Sequence, residues 1–152
     1  MSIEIERKFL VKRFPKFLGF GRTIIQGYLS LDKNCTVRVR VVGNQGYLTI
    51  KGESTGISRI EYEYEIPISE AKAMLNLCQG SIIEKTRYKI LHENLTWELD
   101  IFDGDNKGLV VVEVELLSES EVINKPDWVG TEVSDDKKYF NSRLSKTPYK
   151  DW

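Results

Sequence analysis

The sequence predicts a mainly β protein of the α+β class, an antiparallel sheet closed into an eight-stranded barrel with a few short helices outside it and near the C-terminus. Two observations predict this. Eight segments alternate with period 2 between turn residues, and seven of them carry charge on one face and apolar residues on the other. The 152 residues, 41% hydrophobic and 30% charged, fit one soluble globular domain spanning 1–152.

The strands are expected at residues 3–11, 23–31, 36–42, 46–52, 59–67, 82–91, 95–103 and 109–117. In the first, Glu4, Glu6 and Lys8 share a face. In the third, Arg38 and Arg40 oppose Val37, Val39 and Val41, and in the fourth Lys51 opposes Leu48 and Ile50. Glu61 and Glu63 alternate with Ile60, Tyr62 and Tyr64, and Lys85 and Arg87 with Tyr88 and Ile90. Glu98 and Asp100 alternate with Trp97, Leu99 and Ile101, and Glu113 and Glu115 with Val112, Val114 and Leu116. Gly43-Asn44-Gln45-Gly46, His92-Glu93-Asn94 and the run 103–108 have the length and composition of hairpin turns, so the sheet reads as a meander.

Helical signals are fewer. Ser69 precedes the helix formers Glu70 to Leu77, with Gly80 as a stop, and Ser118 with Glu121 has the spacing of a capping box. Ser134, Asp135 and Asp136 predict a helix N-terminus running to about Leu144, in which Phe140 and Leu144 share a packing face.

A balance of 22 Lys plus Arg against 23 Asp plus Glu, net charge -1, removes the broad basic surplus expected of a nucleic-acid binder. No secretory signal and no transmembrane run is read, and Cys35 and Cys78 form neither a zinc-type spacing nor a disulfide framework, so a reducing cytoplasm is the expected setting. His92 reads as a turn residue. The three tryptophans read as packing residues, and Ser30 and Ser54 lack the company of a nucleophile.

The clustering of like charges carries more information than the alternation itself. A merely wet sheet face mixes signs and includes uncharged polar residues, whereas here like charges recur in pairs on single strands. An eight-stranded sheet that closes has an interior wide enough for side chains or one small ligand, which these charges would line while the apolar face, covered by helices, looks outward. Six bases, Lys8, Arg38, Arg40, Lys51, Lys85 and Arg87, then face eight acids, Glu4, Glu6, Glu61, Glu63, Glu98, Asp100, Glu113 and Glu115. Such a lining is acidic by two charges, and about two divalent cations would reverse its sign. Oxygen donors without a His or Cys cluster select a hard ion, Mg²⁺ or Mn²⁺, and Arg and Lys suit the remaining phosphate oxygens.

Glu4-Ile5-Glu6-Arg7-Lys8 is an ExExK motif. TVRVR (36–40), YLTIKG (47–52), EYEYEIP (61–67), KTRY (85–88), WELD (97–100) and VEVEL (112–116) follow it in order. With these the chain resembles the CYTH superfamily of triphosphate tunnel metalloenzymes over nearly its whole length, and its short inorganic triphosphatase branch in particular. The resemblance implies a closed tunnel that binds a small-molecule triphosphate with divalent metal, independent of nucleic acid or membrane. Glu4 and Glu6, with Glu113 or Glu115, correspond to ligands of the metal that grips the triphosphate. Arg38, Arg40, Lys51, Lys85 and Arg87 correspond to the phosphate clamp, Glu61 and Glu63 to the acidic pair at a second metal and the attacking water, and Asp100 to a metal or water-orienting position. Lys8 is either a further phosphate contact or a general base of lowered pKa. Tyr28, sharing a face with Gln26, either orients Lys8 or packs in the wall. Glu98 is assigned to the tunnel mouth.

The reaction so implied is metal-assisted attack of water on a terminal phosphorus, with inorganic tripolyphosphate as first substrate. Two alternatives stay open. One is an organic triphosphate, either thiamine triphosphate or a nucleotide hydrolysed, or ATP cyclised; the other is a noncatalytic polyphosphate-binding module. The many carboxylates argue against the latter, since a pure phosphate binder gains nothing from them.

Overall fold

Nine strands, two short α-helices and three 3₁₀ turns make up the computed structural model, which describes residues 2–152. The strands are β1 (Ile3–Val11), β2 (Arg22–Asp32), β3 (Cys35–Val42), β4 (Gln45–Gly52), β5 (Ser58–Ile66), β6 (Gln79–His92), β7 (Leu95–Phe102), β8 (Val110–Glu115) and β9 (Val129–Glu132). The helices are α1 (Ile68–Leu75) and α2 (Asn141–Lys146). The first eight strands lie where the period-2 pattern puts them, because a strand with one apolar and one charged face has one stable register. The tight links are two-residue turns at Lys33-Asn34, Gly43-Asn44 and Glu93-Asn94, with Gly43 at φ 58° and Glu93 at φ 48°.

The strand order is β5-β4-β3-β2-β6-β7-β8-β1, and β1 pairs back onto β5, so eight antiparallel strands close into a barrel. The closing seam is short. Ile3, Glu4 and Ile5 pair with Ile60, Arg59 and Ser58, while further along the same strand Phe9 and Val11 pair with Glu132 and Val129 of β9. β9 is thus a ninth strand that takes over the edge of β1 beyond the seam. Arg7 fixes it by donating from Nε and Nη2 to the two carboxylate oxygens of Glu132, at 2.9 and 2.6 Å.

The core lies mainly outside the barrel wall. Phe9, Trp97, Leu99, Val112 and Val114 are sealed by Trp128 and Val129 from the segment that follows β8. α1 covers Val39 and Val41 through the fully buried Ala71. The expectation that helices cover the apolar face therefore holds over β2, β3 and β4: an irregular segment covers β7 and β8, and Ile60, Tyr62 and Tyr64 of β5 stay exposed. A second cluster sits inside. Tyr28, Ile83, Phe102 and Val111 follow the inward parity of the charged residues and close one barrel end, together with the fully buried Leu144 of α2.

The helix boundaries depart from expectation. α1 begins at Ile68 behind Pro67, with no side-chain cap, because proline ends β5 there and its fixed φ suits a helix entry. Ser118 and Glu121 close a turn in which Glu121 accepts from the Leu117 N–H at 2.8 Å, without a helix following. The helix expected from Ser134 to Leu144 is interrupted. A 3₁₀ turn at Lys137–Tyr139 precedes Phe140, whose ψ of 136° is extended, and only then does α2 start. Gly80 does not stop a helix but opens β6 at φ 70°, where a Cβ would run into the Ser145 carbonyl of α2.

Candidate active site

The inward-facing side chains surround a cavity of about 280 Å³. Every sequence-predicted site residue but one lines it: Glu4, Glu6 and Lys8 from β1, Tyr28 from β2, Arg38 and Arg40 from β3, Lys51 from β4, Glu61 and Glu63 from β5, Lys85 and Arg87 from β6, Glu113 and Glu115 from β8. Asp100 is the exception. It is wholly buried beneath the lining, where Arg87 grips both its oxygens at 2.7 and 2.8 Å and Lys85 Nζ lies 2.8 Å away. Its oxygens are spoken for by two bases, which places it as their counter-ion and not on the cavity surface.

Bases and acids inside the barrel answer one another across strands. Lys51 donates to Glu4 at 2.9 Å and lies 3.2 Å from Glu61. Arg38 Nη2 donates to Thr49, which donates onward to Glu63 at 2.9 Å. Arg87 also reaches Glu98 at 3.3 Å and Glu113 at 3.5 Å. Lys8 Nζ is 3.3 Å from Glu113 and donates to the Tyr139 carbonyl at 3.0 Å. Those two groups, and not Tyr28, hold Lys8; Tyr28 packs in the apolar floor.

Burial sets the electrostatics. Burial drives the Glu6 carboxyl well above the ordinary carboxylate range, helped by the neighbouring Glu113 and Glu4. Glu113 is buried too, yet Lys8, Arg87 and Lys85 hold it well below that range. Glu61 and Glu115 are raised by burial and by Glu4, whereas for Glu4 burial is opposed by Lys51 and by the hydrogen bond to Glu61, which together lower it. Burial also pushes Lys85 down to about 8, and burial with the Arg38 and Arg87 guanidiniums takes Arg40 down to about 9. Lys8 goes the other way. Burial lowers it, but Glu113 and Glu6 more than compensate.

The lining holds more than the alternation of like charges exposes. Arg59 joins it, with Thr36, Ser134, Phe140, Asn141 and Ser142, and Glu98, expected at the mouth, lines it too. Arg59 and Thr36 carry a signal, since each shares a strand face with residues already singled out, Glu61 and Arg38 respectively. Phe140 and Asn141 come from the C-terminal segment, where no period announces an inward face. With Arg59 included, seven bases face seven carboxylates round the cavity itself, and with Asp100 beneath them the interior is acidic by one charge and not by two.

Two observations bear on what the cavity takes. Arg38 Nε is buried without a hydrogen-bond partner, a donor that suits an anionic oxygen. A polyanion entering a balanced, partly dehydrated cavity also brings uncompensated negative charge, which calls for cations from outside. Among the described residues no three carboxylates converge on a common point. The donors are all oxygens, however, and fit a hard divalent ion once incoming phosphate draws the bases off their carboxylates.

An eight-stranded barrel with such an interior defines a class of protein, one that encloses a small polyanion together with hard cations. The chain belongs to the CYTH domain family, whose domain matches residues 2–148. It is 53% identical over 154 residues to an inorganic triphosphatase of Acetivibrio thermocellus, a match that takes in 100% of this chain and 99% of the relative. It is 39% identical over 146 residues to an inorganic triphosphatase of Nitrosomonas europaea, over 93% of this chain and 96% of the relative. Among solved structures, the inorganic triphosphatase NE1496 superposes with a TM-score of 0.69 at 37% identity, over 93% of this chain and 97% of its own. The PH1012 protein of Pyrococcus horikoshii shares the fold, with a TM-score of 0.57 at 23% identity over 77% of this chain and 80% of its own.

Proposed function

We propose that this protein hydrolyses inorganic tripolyphosphate to pyrophosphate and orthophosphate with the help of divalent metal. The observation that carries the reading is the convergence of Lys8, Arg38, Arg40, Lys51, Lys85 and Arg87 on one cavity of about 280 Å³. Full-length similarity to inorganic triphosphatases supports it.

In this reading Arg38, Arg40, Lys85 and Arg87 bind the phosphate chain, the guanidiniums through paired N–H donors. Lys8, held charged by Glu113 and Glu6, is a phosphate contact that steadies charge on the bridging oxygen and is not the base. Glu61, its carboxyl raised by burial and by Glu4, orients the attacking water with Glu63 and takes up its proton. Two divalent ions, Mg²⁺ or Mn²⁺, held by Glu4, Glu6, Glu113 and Glu115 and by the Glu61 and Glu63 pair, would supply Lewis-acid polarisation of the phosphate oxygens. Asp100 keeps Lys85 and Arg87 aimed at the cavity. Among the described residues no helix is long and apolar enough to cross a membrane, and Cys35 and Cys78 are free thiols, which supports a reducing cytoplasm.

The test is initial-rate phosphate release from tripolyphosphate, thiamine triphosphate and ATP, each with Mg²⁺, with Mn²⁺ and with chelator, and with cyclic AMP assayed in the ATP sample. Preference for tripolyphosphate and silence in chelator are expected; cyclic AMP, or turnover unaffected by chelator, overturns the reading. Glu6→Gln should cut turnover by well over about tenfold with the thermal midpoint retained, since it removes a charged metal ligand but keeps the shape.

A further inference from the structure

Asn141, the first residue of α2, joins two interior cations into one hydrogen-bonded chain. Arg40 Nε donates to Gln26 Oε1 at 2.7 Å, Gln26 Nε2 donates to Asn141 Oδ1 at 3.1 Å, and Lys85 Nζ donates to that same oxygen at 3.2 Å. The polarity of this chain is forced. A guanidinium and an ammonium can only donate, so Gln26 must turn its oxygen to Arg40 and Asn141 must turn its oxygen to Lys85. The amide nitrogen of Gln26 then meets the one acceptor left to it. Flipping either amide sets donor against donor at a place where Gln26 and Lys85 are fully buried and no water can relieve the clash.

The seat of Asn141 is firm. Leu144, one turn further along α2, is fully buried against Tyr28, Ile83, Phe102 and Val111. The absent side chain of Gly80 lets β6 approach the Ser145 carbonyl closely. The lysine has three donors, of which Asp100 takes one and Asn141 another, which leaves the third to be directed by the first two.

We propose that Asn141 is a positioning residue of the triphosphate site, fixing the Lys85 ammonium directly and the Arg40 guanidinium through Gln26. The proposal rests on the triphosphatase reading and adds to it a contribution from the C-terminal segment, which supplies part of the clamp's alignment from outside the barrel strands. Alignment of this kind is felt as lost substrate affinity, since misdirected cations still attract a polyanion but no longer fit its oxygens.

The test combines tripolyphosphate affinity by calorimetry without metal, steady-state kinetics with Mg²⁺, and thermal midpoints. Asn141→Ala should raise both Kd and KM for tripolyphosphate by about tenfold with kcat within about twofold, the pattern of lost uniform binding. Asn141→Asp keeps the oxygen that Lys85 and Gln26 need but sets a second, charged oxygen beside the cavity. It should hold the thermal midpoint, which separates the loss of the acceptor in Asn141→Ala from any loss of fold. In a Lys85→Met background the effect of Asn141→Ala should shrink, because the part that acts through Lys85 is gone and only the part through Gln26 and Arg40 is left. A wild-type KM in Asn141→Ala, or an Asn141→Ala effect undiminished beside Lys85→Met, overturns the proposal in favour of a purely structural role. Wild-type protein that binds tripolyphosphate without cleaving it overturns the hydrolase reading alone, and the Kd values then decide this proposal. Protein that does not bind it overturns both.

Discussion

Lys85 and Arg87 divide one carboxylate between them, and the depth of that carboxylate is what its sequence position concealed. Asp100 shares a strand face with Glu98, and face parity tells which side of the wall a residue lies on. It does not tell that Glu98 reaches the cavity while Asp100 ends beneath two longer side chains. Parity sufficed for Arg38, Arg40, Lys51, Glu61, Glu63, Glu113 and Glu115, all of which line the cavity. It had no purchase on Asn141, whose place is set by the packing of Leu144. The burial of Asp100 has a stability consequence. Asp100→Asn leaves two buried cations with one fewer charge to answer them and should destabilise the protein by about 3–5 kcal/mol, read as a lower urea midpoint at unchanged slope. A midpoint equal to wild type would mean that Arg87 and Lys85 find compensation in Glu113 and Glu98.

Among the elements, strands were legible and covers were not. Strict alternation over eight segments leaves one register in which the apolar face escapes water, so β1 to β8 follow from the sequence to within a few residues. β9 has only four residues and no alternation to reveal it; it exists because β1 offers an edge beyond the seam. The stretch between β8 and β9 packs through Trp128 and not through a repeating face, so a capping-box spacing there suggested a helix that the turn at Ser118 does not continue. The tie between β1 and β9 also predicts a pH effect. Hydrogen bonds from Arg7 depress the folded-state pKa of Glu132 below its ordinary 4.5, so the stability they add is present above that value and lost as pH falls through the depressed one. Both side chains are partly exposed, which keeps the gain below about 1 kcal/mol. Glu132→Gln should thus lower the thermal midpoint slightly at pH 7 and match wild type once the pH has fallen below the depressed value; a difference that persists in stronger acid would assign the effect to the Ser134 contact instead.

At the scale of the molecule, the barrel without substrate is a closed set of charges that compensate one another, seven against seven round one cavity. Polyanion and metal should therefore favour each other, since either alone unbalances the lining. Tripolyphosphate with Mg²⁺ is expected to raise the thermal midpoint by more than the two separate shifts added together, measured by a melting series. Shifts that merely add would mean that the two occupy independent places.

β1 has no partner among its near neighbours in sequence. It pairs with β5, β8 and β9, the nearest of which begins at Ser58 and the others at Val110 and Val129. As the chain is translated, the strand bearing Glu4, Glu6 and Lys8 leaves the ribosome first and waits longest for its edges to be covered. Ring closure is thus a slow, long-range event paid in chain entropy. Until it happens Phe9 stays wet and both edges of β1 invite pairing with a neighbouring chain. The same closure brings Glu6 opposite Glu115 and Lys8 opposite Glu113. Completion of the fold and assembly of the site are one event, and a nascent chain has no partial activity to offer before it.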